Sequence, residues 1–432
     1  MLDIQFIRDN PEVVRTKSKQ KGYDIDVDQL LGFDTKRREL MGKVEELRRQ
    51  RNELADGMKG QKPSDDQLTR GRELKDQTTD LEHQLESIEQ EYSVLLKAVP
   101  NMPLDSVPIG ATEEENVEAR KVGDMPQFDF DPKPHWEILL ARDMLDKERA
   151  AKIAGSRFAY LKGDLVRLQF AVIQFVMDQL GDETVISKLI KDNNLQLSSK
   201  PFTPILPPAM LKTEPYIASA RLDAAEVTYK LDGDDLWLNA SAEHTLCTMY
   251  WNEILPAEML PIRYIGYSTS FRREAGTYGK DTEGIIRLHQ FDKLEMEVFS
   301  SAITGPDEHK LGLAIQEYLV QKLGLPYRVL QKCTFDIGKP NASGFDVECW
   351  FPGQKRYIET HTADFMTDYQ ARDLKIRTRQ ADGTTELVHT NDATAFAMSR
   401  ILAAITENYQ TAEGSVRIPE VLKQYMGGRD VI

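Results

Sequence analysis

Arg272, Glu274, Arg287, Phe291 and Glu295 fall within a single stretch, FRREAGTYGKDTEGIIRLHQFDKLE, residues 271–295. An arginine neutralises a phosphate oxygen, a carboxylate accepts from an exocyclic amine, and an aromatic ring stacks on a base. Together these are the needs of a nucleotide. Residues 268–274 and 290–299 have a strand-like pattern, with Leu294, Met296 and Val298 alternating with Glu295 and Glu297. Side chains two apart share a face of a strand. Arg272 is therefore expected beside Glu274, and Phe291 beside Lys293 and Glu295. The intervening AGTYGKDTEG has the composition of a loop that closes over a ligand. Any one of these charges alone reads better as a solvated hairpin residue, and it is their shared faces that point to a site.

Two familiar phosphate loops are excluded. Gly276 and Gly279 are three apart with no GxxxxGK[ST] frame, and no GxGxxG enters a helix.

The elements that must position these residues follow from periodicity. Leu40, Val44, Leu47, Leu54 and Met58, then Leu74, Leu81, Leu85, Ile88, Tyr92 and Leu95, recur at steps of three, four and seven. That is the seam of a two-helix antiparallel coiled coil over residues 34–60 and 68–99. Gly57, Gly60, Pro63 and Ser64 mark its reversal, with Ser64, Asp65 or Asp66 able to start the second helix. Such helices reach roughly 39 Å, longer than a compact domain needs, so they are expected to project as an arm. Arg37, Arg38, Arg48, Arg49 and Arg51 make its first helix locally basic, although the whole chain of 432 residues carries a net charge of -15. A solvated coiled-coil face explains most such charges. Arg51 at a seam position and the Arg48-Arg49-Arg51 cluster favour a phosphate-contacting surface.

After Pro100 the Pro-, Gly- and acid-rich segment to residue 126 reads as a linker. Beyond it, strand and helix patterns alternate without a βαβ rhythm, which predicts an α+β domain on a largely antiparallel sheet. Cys247, Cys333 and Cys349 are widely spaced without a C-x-x-C pair, so they read as core thiols and not as a disulfide or zinc framework. No secretory signal or apolar run of membrane-spanning length is visible, so a cytoplasmic protein without a membrane partner is expected.

Residues 271–295 resemble motif 2 of the class II aminoacyl-tRNA synthetases. VHTNDATAFAMSRILAAITENYQTAEGSVRIPEVLKQYMGG resembles motif 3 of their seryl-tRNA synthetase branch. TPILPPAMLK, residues 203–212, sits where the dimer-forming motif 1 would be. The resemblance implies an antiparallel class II catalytic domain over 104–432, preceded by a tRNA-binding domain with a coiled-coil arm over 1–103. It implies serine-tRNA ligase activity: activation of L-serine by ATP with Mg²⁺, then transfer to tRNA(Ser), with tRNA(Sec) as a second acceptor, by a homodimer.

Carried over residue by residue, the resemblance places Arg272 on the ATP α-phosphate and Glu274 on the adenine amine. Phe291 and Arg400 flank the adenine, Arg287 faces the outer phosphates, and Glu359 and Thr362 hold Mg²⁺ and ATP. Arg272 and Arg400 are the catalytic candidates. Ser241, Glu243, Arg272, Glu295 and Thr394 are the serine candidates, and the five arm arginines those for tRNA.

The chain departs from the family at the amino-acid pocket. It has Ser241-Ala242-Glu243 for Thr-x-Glu, Glu359-Thr360-His361-Thr362 for Glu-Ile-Ser-Ser, and Asn391-Asp392-Ala393-Thr394-Ala395 for Leu-Asn-Gly-Ser-Gly. Hydroxyls remain at Ser241, Thr362 and Thr394, and the added methyls narrow the space. His361 is open to two roles, contact with phosphate or metal, or a hydrogen-bonded filler. Asp392 is expected to cap the following helix. A ligase for another small amino acid and a non-catalytic RNA-binding paralogue are the alternatives.

Overall fold

A computed structural model of the chain describes residues 1–59, 63–222, 228–274 and 283–432. The loop glycines Gly276 and Gly279, and the reversal at Gly60, lie outside the described residues. The chain divides into two compact units, Met1–Met102 and Pro103–Ile432.

In the first unit two short helices precede α1 (Val27–Gly57) and α2 (Asp65–Ala98), which run roughly 46 and 51 Å at 1.5 Å per residue. Ser64 caps α2: its Oγ accepts from Gln67 N at 3.2 Å while Gln67 Oε1 accepts from Ser64 N at 2.9 Å, a reciprocal capping box. Val44, Leu74 and Leu96 are buried in the seam and Leu47, Leu54, Leu81, Leu85 and Ile88 are half-buried. Arg51 is not a seam residue. It is exposed, and Gln50 takes the half-buried position three residues after Leu47, because a helical stripe can step by three as readily as by four.

The second unit is built on an eight-stranded sheet. Its strands are β1 (Val117–Val122), β2 (Thr203–Ile205), β3 (Ile262–Phe271), β4 (Gln290–Ser300), β5 (Tyr327–Gln331), β6 (Ser343–Phe351), β7 (Arg356–Thr367) and β8 (His389–Ala397). The spatial order is β1-β5-β6-β7-β8-β4-β3-β2, antiparallel throughout except for the parallel β2/β3 pair. β1 corrects the reading of residues 101–126 as linker. It is an edge strand whose side chains are almost all exposed, so it carries no hydrophobic alternation to betray it.

One face of the sheet is covered by α3 (Asp164–Gly181), α4 (Gly305–Lys322) and α5 (Met398–Asn408). Leu294, Met296 and Val298 of β4 join Leu168, Leu311, Leu319 and Ile401 in that core. The alternate residues Phe291, Lys293, Glu295 and Glu297 therefore take the other face.

All three cysteines are free and buried. Burial pushes the Cys349 thiol up to about 12 and Cys247 well above its ordinary value. Since the thiolate is the reactive form, the native protein at pH 8 is expected to show no fast reaction with an aromatic disulfide reagent, and three thiols after denaturation. A fast native thiol would contradict this packing.

Candidate active site

Arg272, Glu274, Arg287, Phe291, Lys293, Glu359, Thr360, Thr362, Thr394 and Arg400 line one cleft on the open face of the sheet. The strand leading to Arg272 ends at Phe271, so strand parity does not set Glu274. Glu274 instead has a left-handed backbone, φ 50°, and its carboxylate accepts from Arg287 Nη1 at 3.1 Å. Arg272 lies with its guanidinium 5.3 Å from the Phe291 ring centroid while its Nε donates to Ala240 O at 3.1 Å. It is thus pinned between an aromatic platform and the chain leading to Ser241.

The approach to Arg287 is fixed by Gly284, whose φ is +67° and where a Cβ would come within 2.0 Å of His135 Nε2. That close passage lets Ile285 N donate to His135 Nε2 at 3.2 Å, with the other ring nitrogen 2.8 Å from Glu407 Oε1.

Glu359 and Thr362 are three apart on β7 and would face opposite sides of a regular strand. Pairing shifts from Glu348↔Glu359 to Val347↔His361, leaving Thr360 as a bulge residue that re-aims the strand. Both side chains then reach the cleft. Arg400 Nη1 donates to Glu359 Oε1 and to Glu359 O, each at 2.8 Å. Thr362 Oγ1 accepts from Lys332 Nζ at 3.0 Å, and Lys332 pairs with Asp364 at 2.9 Å.

His361 does not line the cleft. It is buried, bonded through Nδ1 to Thr360 Oγ1 at 2.7 Å and packed 5.1 Å from Phe396. Burial pushes its pKa down to about 3, so the ring is neutral, and its packing away from the cleft fits the hydrogen-bonded filler.

Beneath the cleft lies the amino-acid candidate set. Gly266, opposite Glu295, allows Leu246 to approach where a Cβ would be only 2.7 Å from its Cδ1. The segment carrying Ser241 and Glu243 therefore lies against the sheet. Ser241 Oγ donates to Glu243 Oε2 at 2.6 Å, and Thr394 Oγ1 to Glu295 Oε1 at 3.5 Å. Lys293 Nζ reaches Ser241 Oγ at 2.9 Å, Glu243 Oε2 at 3.3 Å and Glu295 Oε2 at 2.5 Å. Against its own burial, Lys293 together with Arg221 holds the Glu243 carboxyl well below its ordinary value, whereas burial pushes Glu295 well above.

Asp392 is not a helix cap. It lies within β8, six residues before α5 begins, opposite Glu297 and bonded to Arg221. Arg221 Nη1 also stands 3.9 Å from Glu243 Oε1. Carboxylate oxygens of Glu243, Glu295 and Asp392 lie within 4.8 Å of one another, and Arg221 and Lys293 compensate them. Sequence reasoning missed Arg221, Thr360, Lys332 and the role of Lys293. Only Lys293 carried a signal, its shared face with Phe291 and Glu295.

The five arm arginines belong to α1. Arg48 pairs with Glu82 at 2.7 Å and Arg49 with Glu46 at 2.7 Å and Glu53 at 2.6 Å. Arg37 lies 5.0 Å from the Tyr92 ring centroid and 3.3 Å from Glu89. Much of the positive charge is therefore spent within the arm. Among the described residues, Arg38 and Arg51 are exposed and make no ion pair.

The chain matches two family profiles, a seryl-tRNA synthetase N-terminal domain over residues 1–103 and a tRNA synthetase class II core domain (G, H, P, S and T) over residues 227–409. It is 39% identical over 438 residues to a serine-tRNA ligase of Nitrosopumilus maritimus and 40% identical over 442 residues to one of Methanoregula boonei, covering 100% of every chain. Its structure is similar to that of the seryl-tRNA synthetase from Pyrococcus horikoshii complexed with ATP, with TM-score 0.88 and 36% identity over 100% of this chain and 99% of that one.

Proposed function

This chain belongs to the seryl-tRNA synthetase family of class II aminoacyl-tRNA synthetases, and from that membership we propose how its own residues carry out the reaction. It is a serine-tRNA ligase. A serine carboxylate oxygen attacks the α-phosphorus of ATP and the bond to pyrophosphate breaks. The terminal ribose hydroxyl of tRNA(Ser) then attacks the seryl carbonyl, and AMP leaves.

The observation that carries this reading is the position of Arg272. One side of its guanidinium faces Phe291, and its Nε is held on the carbonyl of Ala240, next to Ser241. A nucleotide stacked on Phe291 and an amino acid at Ser241, Glu243, Glu295 and Thr394 would meet at this guanidinium. There it neutralises two anions being brought together and the charge that grows on the α-phosphate. Arg400, held by Glu359, closes the other face of the base. Arg287, oriented by Glu274, meets the outer phosphates, and the Glu274 carboxylate meets the adenine amine. Glu359 and Thr362 line the same cleft and would offer Mg²⁺ the oxygen ligands it takes. When bound, that ion supplies further neutralisation of the phosphates.

Residues 1–103 are assigned to tRNA binding and residues 104–432 to catalysis, in a cytoplasmic homodimer. Among the described residues no helix is long and apolar enough to cross a membrane. Replacing residues 38–95 by a short connector is expected to spare adenylate formation and abolish tRNA charging. Equal charging after that deletion would remove the arm from the mechanism.

The decisive experiment is ATP–pyrophosphate exchange with each of the twenty amino acids, without tRNA. Exchange with serine alone supports the reading. Exchange with another amino acid instead would overturn the substrate while keeping the reaction, and exchange with none would overturn both.

A further inference from the structure

Three of the serine candidates, Ser241, Glu243 and Glu295, already hold an ammonium. Lys293 Nζ donates to Ser241 Oγ at 2.9 Å and Glu243 Oε2 at 3.3 Å and forms an ion pair with Glu295 Oε2 at 2.5 Å. Ser241 and Glu295 are fully buried. The described cleft is lined by Lys293 and Thr394 but not by Ser241, Glu243 or Glu295, so the lysine stands between the cleft and these acceptors. A second ammonium among the same three oxygens would face like-charge repulsion in a buried site. Arg221 already binds Asp392 and approaches Glu243, and burial holds the Glu297 carboxyl, the next acid on this face of β4, well above its ordinary value.

We propose that Lys293 is a displaceable occupant of the amine subsite: the α-ammonium of the amino acid takes over its acceptors and releases the lysine into the cleft. This rests on the serine-activating reading above. The four-carbon stem permits the swing. Phe291, two residues back on the same face of β4, is the platform over which Arg272 lies. The freed charge therefore arrives where the α-phosphate would be held. Serine binding thereby strengthens ATP binding, and by linkage ATP strengthens serine binding.

The test begins with serine-dependent exchange by the unaltered protein, whose absence would remove the underlying reading itself. Given that activity, the affinities of L-serine and of 3-hydroxypropionate, which lacks the amine, are compared in the unaltered protein and in Lys293→Met. The variant is expected to bind L-serine about tenfold more tightly, to leave 3-hydroxypropionate unchanged, and to lose kcat while KM for serine falls. Weaker serine binding, or equal shifts for both ligands, would show the lysine to be a structural partner and overturn the proposal.

A measurement on the unaltered protein guards against a folding defect in the variant. With ¹⁵N-labelled lysine, the slowly exchanging Lys293 ammonium protons are expected to disappear on adding L-serine and to persist with 3-hydroxypropionate. Their persistence in saturating serine would equally overturn it.

Discussion

Replacing Arg272 by alanine is expected to lower serine-dependent ATP–pyrophosphate exchange by at least about 10²–10³-fold, the loss typical when one preorganised donor to a developing charge is removed. The loss should fall mainly on kcat, because the guanidinium is needed most as negative charge concentrates at the α-phosphate. The fold should survive, since Arg272 is only partly buried and the one hydrogen bond of its Nε goes to a backbone carbonyl. Arg272→Lys should restore little. A lysine keeps the charge but not the planar fork that can lie on Phe291 and bond Ala240 O at once. Exchange within a few-fold of the unaltered protein would refute the assignment, provided both show the same thermal transition.

The largest expected loss of stability lies away from the cleft, at Arg263. Its guanidinium forms a two-point pair with Glu308, Nε to Oε2 at 2.9 Å and Nη2 to Oε1 at 2.8 Å, both side chains wholly buried. Its Nη1 donates to the carbonyls of Ser198 and Lys200 at 2.9 and 2.5 Å. The residue thus joins β3 to α4 and to the segment entering β2. Arg263→Ala should destabilise the second unit by roughly 3–5 kcal/mol, because it strands a buried carboxylate and two carbonyls. Replacing both partners by apolar residues of similar volume, Arg263→Met with Glu308→Leu, should recover part of that loss, the carbonyls remaining unpaired. Urea unfolding followed in the second unit measures both. A change below about 1 kcal/mol for the single variant would mean that water or a neighbouring cation replaces the guanidinium.

Local periodicity makes much of the site legible in the sequence. Phe291, Lys293 and Glu295 share a face because strand side chains alternate, and the apolar residues between them mark which face is core. The coiled-coil seam and the Ser64 cap are equally readable, since a stripe at steps of three and four and a Ser followed by Gln at N3 are local features. Where local pattern is ambiguous it misleads, as at Arg51. The exposed edge strand Val117–Val122 has no apolar face to read.

The sequence by itself determined the arm, the antiparallel class of the second unit and the residue types gathered in motif 2, because each is encoded within a few turns or strand steps. Tertiary structure alone decided the candidate amino-acid pocket. Ser241 and Glu243 meet Lys293 some fifty residues away because Gly266 lets their segment settle on the sheet. Glu359 and Thr362 share the cleft only because pairing with β6 forces a bulge at Thr360. Asp392 is buried against Arg221, 171 residues distant, instead of capping a helix. Such encounters depend on which strands pair, in what register, and on what lies above them. No local spacing carries that information, and only the packed sheet supplies it.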